Sequence, residues 1–406
     1  MIIRSRVVAP MAGEPINDGA VVVEGSKIAS VGRFADMQRH QSGEVLDLGE
    51  QILLPGLINA HCHLDYTILR GKIGRPRSFA DWIVAINTAK AALTETDYVN
   101  SITAGLTEAG KFGTTTLLNL EAFPELLPQL PQTPLRVWWC AEMIDVRQPV
   151  NAREIFESLR DAFRAHRDWL GGVGLAPHAP YTASTQLYSD ATKIARKEGA
   201  PFTTHLAESS EEMQMFRHAS GPAFDFLKSI GRPMEDCGHE TPLSFVMRRL
   251  PIGEDWIIAH LNELSESDFE LLERAPKFHI VHCPRSHSFF GHEDFALERL
   301  RSLGFNICLG TDSLASNSSL NLFAEMRELL RKERSLSPRE VVAMVTMNAA
   351  DAIGQGSMLG RIQPGFIADL IAVPGNGSGT AAFESIVAFE QTVPWMMVNG
   401  ELLGVP

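Results

Sequence analysis

Short apolar runs recur along the middle of the chain, at 52–58, 114–120, 135–143, 173–176, 202–206, 256–261, 278–282 and 306–309. Each is bounded by polar or turn residues and has the length of a buried strand. Amphipathic stretches at 152–167, 186–197 and 320–332 read as helices between them. Eight strands alternating with helices over roughly 300 residues have the size and rhythm of an α/β (β/α)8 barrel of the TIM type.

The two ends have a different texture. Ala20-Val21-Val22-Val23 and Ile28-Ala29-Ser30-Val31 are broken at Gly25 and Gly32, and 369–373 and 395–398 repeat that pattern before Asn399-Gly400. Strand–turn–strand signals at both ends predict one small β-sandwich that shares its sheet between the termini, because termini often lie close together. Two unrelated small sheets are the alternative. The division expected is 1–54 and 359–406 for the β unit and 55–358 for the barrel, with a flexible loop at 375–379.

Composition narrows the class. The 406 residues are 45% hydrophobic and 21% charged, as in a globular protein with a large core. Thirty-six basic against 49 acidic residues leave a net charge of −13, which argues against binding nucleic acid or an anionic bilayer. No run reaches the 18 or more apolar residues of a membrane span. The opening MIIRSRVVAPMAG carries no apolar signal core, and five scattered cysteines without a CxxC pair suit a reducing cytoplasm.

Barrels of this kind keep their chemistry where strands end. Here those ends read Asn59-Ala60-His61-Cys62-His63, Pro177-His178, His205-Leu206-Ala207-Glu208, His260-Leu261-Asn262, His282-Cys283-Pro284-Arg285 and Gly310-Thr311-Asp312-Ser313. Residues two apart on a strand share a face, so His61 and His63 both point to the axis and Cys62 points outward. Imidazoles with one carboxylate form a donor set that suits Zn²⁺ or Fe²⁺.

These features resemble the amidohydrolase superfamily. The match lies in LPGLINAHCH at 54–63, in His205, His260 and the GTDS at 310–313, and in GFIADL at 365–370, and it covers essentially the whole chain. The resemblance implies His61, His63, His205 and Asp312 as metal ligands, with His260 touching the attacking water or the substrate. Binuclear relatives use a carboxylated lysine at the end of strand four. The corresponding 172–178, GVGLAPH, has none, so one divalent ion is expected.

Glu208, three residues beyond His205, is similar to the acid of the family's hydrolytic deaminases of aromatic heterocycles. Water attack on an aromatic C–NH₂ carbon needs a proton on the ring nitrogen and another for departing ammonia, and one carboxyl group can serve both. Asp312 would take the proton from water, and His260 would stabilise the tetrahedral intermediate. The alternative for Glu208 is a cap on the helix that Ser209-Ser210-Glu211-Glu212 begins.

The rest of the substrate has weaker pointers. His178, in APHAPYTAS, resembles a substrate-proximal histidine of adenosine- and S-adenosylhomocysteine-deaminase-like proteins, or else bonds within its own turn. Arg285, in HCPRSH, can grip a carboxylate or be a solvated loop charge. His282, Arg147, Arg70 and Trp82 are further candidates. The expected substrate is an aminated purine or similar heterocycle, an adenosine derivative or 6-amino-6-deoxyfutalosine. A triazine chlorohydrolase- or imidazolonepropionase-like hydrolase is the competing enzyme. A non-enzymatic scaffold fits poorly, because every ligand position is filled. Family relatives are often homodimers.

Overall fold

The structure is a computed structural model that describes residues 1–38, 43–375, 377 and 379–404. The N-terminal stretch supplies β1 (Ile2–Val8), β2 (Ile16–Glu24), β3 (Lys27–Arg33), β4 (Val45–Asp47) and β5 (Gln51–Pro55). The middle supplies β6 (Leu57–His63), β7 (Thr114–Glu121), β8 (Arg136–Met143), β9 (Leu170–Pro177), β10 (Phe202–Leu206), β11 (Trp256–His260), β12 (His279–His282), β13 (Asn306–Leu309) and β14 (Asp312–Ser313). The C-terminal stretch adds β15 (Leu370–Pro374), β16 (Trp395–Val398) and β17 (Glu401–Leu403). Asn376 and Ser378, in the loop expected to be flexible, lie outside the described residues.

The middle strands pair in parallel in the order β13-β12-β11-β10-β9-β8-β7-β6-β14. β13 and β14 are two halves of one strand, interrupted at Gly310-Thr311. The first half pairs with β12 and the second with β6. The sheet therefore closes on itself as the eight-stranded barrel expected from the apolar runs. Ile58, Ala60, Leu118, Leu120, Cys140, Ala176, Ile257, Val281 and Cys308 fill its interior, plugged by Ala349, Ala350 and Ile353. Among the described residues no helix is long and apolar enough to cross a membrane.

The first apolar run proves to be two strands. β5 joins the terminal sheet through an antiparallel ladder with β15, and only β6 enters the barrel. The break falls at Gly56, where a Cβ would sit 2.1 Å from the Thr115 side chain, so only glycine passes. The terminal sheet runs β17-β16-β15-β5-β1-β2-β3, with β4 beside β1, so both chain ends do share one sheet. Its wings enclose a common core of Ile3, Val21, Ile28, Leu53, Phe366, Leu370 and Met397.

Asp369, the acid of GFIADL, joins the two sheets. Its carboxylate takes Arg136 Nε at 3.1 Å and Nη2 at 3.4 Å from the start of β8, and the Asn399 backbone N–H at 2.7 Å. Both side chains are buried. Removing one partner of a buried pair strands the other charge and costs about 3–5 kcal/mol. Asp369→Ala is therefore expected to lower the thermal midpoint sharply, and an Arg136→Met/Asp369→Leu double variant to recover much of the loss.

Candidate metal centre

The pairing of β6 with β7 shifts register between Asn59 and Cys62. Such an irregularity re-aims side chains. Ile58 and Ala60 fill the barrel interior below it, and His61 and His63 converge with His205 above it. Cys62 turns to the β7 side, within reach of Leu118 O and Asn119 Oδ1. The other strand ends carry left-handed backbone at Ala207 (φ 49°), His260 (φ 74°), Leu261 (φ 52°) and Asp312 (φ 57°). Non-glycine residues in that region are strained, and such strain gathers where geometry is functional.

The sequence-predicted set comes together. His61 Nε2 and His63 Nε2 lie 3.7 and 3.8 Å from Asp312 Oδ1, and His63 Nε2 lies 3.2 Å from His205 Nε2. His260 forms a second ligand-sized group with His61 and Asp312. Glu208 Oε1 stands 3.6 Å from His260 Nε2. Glu208 does not cap the following helix: Ser209 Oγ does, accepting from the Glu212 N–H at 3.2 Å.

This donor set fits a cation. His205 Nδ1 lies 2.8 Å from His178 O, which can only accept, so Nδ1 carries the proton and Nε2 a lone pair. Both ring nitrogens of His61 and Nε2 of His260 are buried without a hydrogen-bond partner. Buried polar atoms left unpaired are costly, and a divalent ion would take up the one ring lone pair that a neutral His61 offers. The protonation states suit ligation. Burial first, then the neighbouring His178 and His61, push His205 down to about 3. Burial likewise holds His63 and His260 well below the usual imidazole range.

The two carboxyl groups diverge. Burial, then the charges of Asp312, Glu212 and Glu142, hold Glu208 well above the usual carboxylate range. Burial also opposes charge on Asp312, but the surrounding His61, His260 and His63 hold it well below. Ser286 Oγ and Ser316 Oγ donate to Asp312 Oδ2 at 2.6 and 2.9 Å, which turns Oδ1 to the histidines.

His178 lies beside this group: its ring is 4.8 Å from that of His205, and its Nδ1 is 2.6 Å from Thr182 Oγ1. Trp82 packs on Phe79 and Phe290 and donates its indole N–H to Ala315 O at 3.3 Å, on the loop after Asp312. Other expected substrate contacts are not gathered. Arg285 is turned to the hydroxyls of Ser318 and Ser319, the latter at 2.8 Å. Arg147 is exposed, and Arg70 pairs with Glu108. His282 stacks on Phe295 in a separate group with His287.

Sequence reading missed several acids. Glu142 Oε1 lies 3.8 Å from His63 Nδ1, and Glu121 and Asp65 are fully buried nearby. Glu121 follows the second apolar run directly and Glu142 is the last residue but one of the third, and that placement at the strand ends is the signal that marks them. Glu212 was also missed. Its carboxylate accepts the Ala207 and Glu208 N–H groups at 3.2 and 2.8 Å and holds the turn that presents Glu208.

The sequence model of the amidohydrolase family matches residues 52–403, so the chain belongs to that family. The 5-methylthioadenosine/S-adenosylhomocysteine deaminase of Pyrococcus furiosus is 30% identical over 366 residues, covering 87% of this chain and 81% of that protein. Helicobacter pylori aminofutalosine deaminase has a similar structure, with a TM-score of 0.86 at 20% identity over 99% of both chains. A zinc-bound adenosine deaminase from Xanthomonas campestris gives 0.81 at 22% identity, over 99% of this chain and 92% of that one.

Glu211 ties the segment bearing Glu208 to the helix Phe79–Lys90. Its two oxygens accept the Phe79 and Ala80 N–H groups at 2.6 and 3.1 Å, which a helix start leaves free. Glu211→Ala is expected to cost about 1 kcal/mol, like loss of a cap. Hydrogen exchange at 79–83 should quicken, read by mass spectrometry.

Proposed function

We propose that the chain is a hydrolytic deaminase of an adenosine-type nucleoside, working with one divalent ion, zinc or iron(II), held by His61, His63, His205 and Asp312. The observation that carries this reading is a pair of carboxyl groups about His260: Glu208 Oε1 lies 3.6 Å from its Nε2, Asp312 groups with it and His61, and their surroundings push Glu208 above and Asp312 below the usual carboxylate range. Groups whose surroundings push their pKa values apart mark the acid and the base of a site. The relatives' names add support: the Pyrococcus furiosus relative, which spans most of this chain, is a nucleoside deaminase.

When held by His61, His63, His205 and Asp312, the ion would supply Lewis acidity at the site. Asp312, fixed by Ser286 and Ser316, takes a proton from the attacking water. Glu208 gives its proton to the ring nitrogen beside the C–NH₂ carbon as the C–O bond forms there. His260 hydrogen-bonds the developing oxyanion. Asp312 then passes the proton it took from water to the amino group, Glu208 recovers a proton from the new hydroxyl as the C=O forms, and the C–N bond breaks to release ammonia. Residues 55–358 would form the catalytic unit, with 1–54 and 359–406 as its β support. All five cysteines are free and buried, which agrees with work in the cytoplasm.

Glu208→Gln keeps shape and removes the proton. Turnover on an adenosine-type substrate should fall about 10²- to 10⁴-fold, with metal content by mass spectrometry unchanged. Full activity in that variant, or release of chloride or ring opening in place of ammonia, overturns the reading. Ser286→Ala/Ser316→Ala frees the Asp312 carboxylate and should weaken metal affinity about 10- to 100-fold, as loss of outer hydrogen bonds does. Chelator competition reads that change.

A further inference from the structure

Glu142 has no part in the steps above, yet it is built into the same mouth. It is the last residue but one of β8, near His178 beyond the end of β9, and one ligand-type atom from each lies within 4.8 Å of a His205 nitrogen. The Glu142 side chain is only 5% exposed, and Oε1 has no hydrogen-bond partner. His63 Nδ1, at 3.8 Å, is beyond hydrogen-bond range. His178 commits Nδ1 to Thr182, and its other nitrogen makes no hydrogen bond among the described residues. A buried carboxylate oxygen without a partner and an imidazole with one nitrogen uncommitted thus stand on the His63–His205 side of the centre, with Glu208 and Asp312 grouped about His260.

We infer that Glu142 and His178 form a hydroxyl-binding subsite that holds the sugar of the nucleoside. A carboxylate accepts from one hydroxyl of a cis-diol, and the uncommitted ring nitrogen of His178 can exchange a hydrogen bond with its neighbour. The arginines considered as carboxylate grips lie elsewhere, Arg285 on Ser318 and Ser319 and Arg147 in solvent. An acidic subsite repels an anion and rewards a donor. This inference rests on the deaminase reading and names the part of the substrate that its specificity depends on.

The test compares adenosine and 5′-deoxyadenosine with 2′,3′-dideoxyadenosine in wild type, Glu142→Gln and Glu142→Ala, with metal content measured throughout. For the two ribosides, kcat/KM should fall about 10- to 100-fold in Glu142→Ala, mainly through KM, the range for a lost hydrogen bond to a charged group. The dideoxy analogue should change less than about twofold and should already be poor for wild type by a similar factor. Glu142→Gln, which keeps one acceptor, should retain part of the discrimination. Equal losses on all three nucleosides would show Glu142 acting through His63 and overturn the subsite. Loss of a second equivalent of metal in Glu142→Ala would overturn it too. Wild-type protein that releases no ammonia from any nucleoside removes the deaminase reading itself, and the subsite with it.

Discussion

The centre depends on how the barrel closes. The last strand must leave β12 and meet β6 within a few residues, and the chain does this at Gly310-Thr311. A Cβ on Gly310 would lie 2.6 Å from His61 O and 2.7 Å from His61 Cβ, so no larger residue lets the strands approach. Thr311 N–H then donates to His61 O at 3.0 Å, and Asn59 clasps Thr311 from β6 through its side-chain amide. Asp312 follows in left-handed backbone, in register with Cys62 between the two histidines of the HxH. The contact that seals the sheet also delivers the one carboxylate among the imidazoles.

Burial then does the electrostatic work. Every member of the set is nearly inaccessible, so charge is penalised at each position and only local partners decide who keeps it. Burial pushes His63, His205 and His260 down. Asp312 is the carboxylate they surround, and after burial its charge is the largest influence pushing Glu208 up. In a low-dielectric site these effects reinforce each other. Glu212 holds the turn that presents Glu208, and the two serines fix which oxygen of Asp312 faces the histidines.

Much of this was legible in the chain. The apolar runs mark the barrel strands closely: 202–206 coincides with β10 and 306–309 with β13. The histidines announce themselves because imidazole is uncommon after an apolar strand. Glu142, Glu121 and Asp65 do not, because acids near strand ends are ordinary and only tertiary packing buries them. The error in the first run has the same root. Apolar content cannot say which sheet a strand joins, and the decision at Gly56 rests on the Thr115 side chain, contributed from a distant part of the chain. Arg285, expected on a loop, lies in the first turn of the helix Pro284–Phe290, and Ser318 and Ser319 take its guanidinium.

The acids of the family motifs divide by end of the barrel. Asp369 meets Arg136 at the start of β8, and Glu142 stands near the finish of that same strand. One strand therefore carries a structural acid–base contact at its base and an unpaired carboxylate at its mouth. The paired group is satisfied by protein, so its removal is a matter of stability. The unpaired group is buried at a cost that nothing in the protein offsets. Such a cost persists in a fold when a bound molecule repays it, which is why the unsatisfied atoms at the top of this barrel, and not its satisfied ones, outline what it binds.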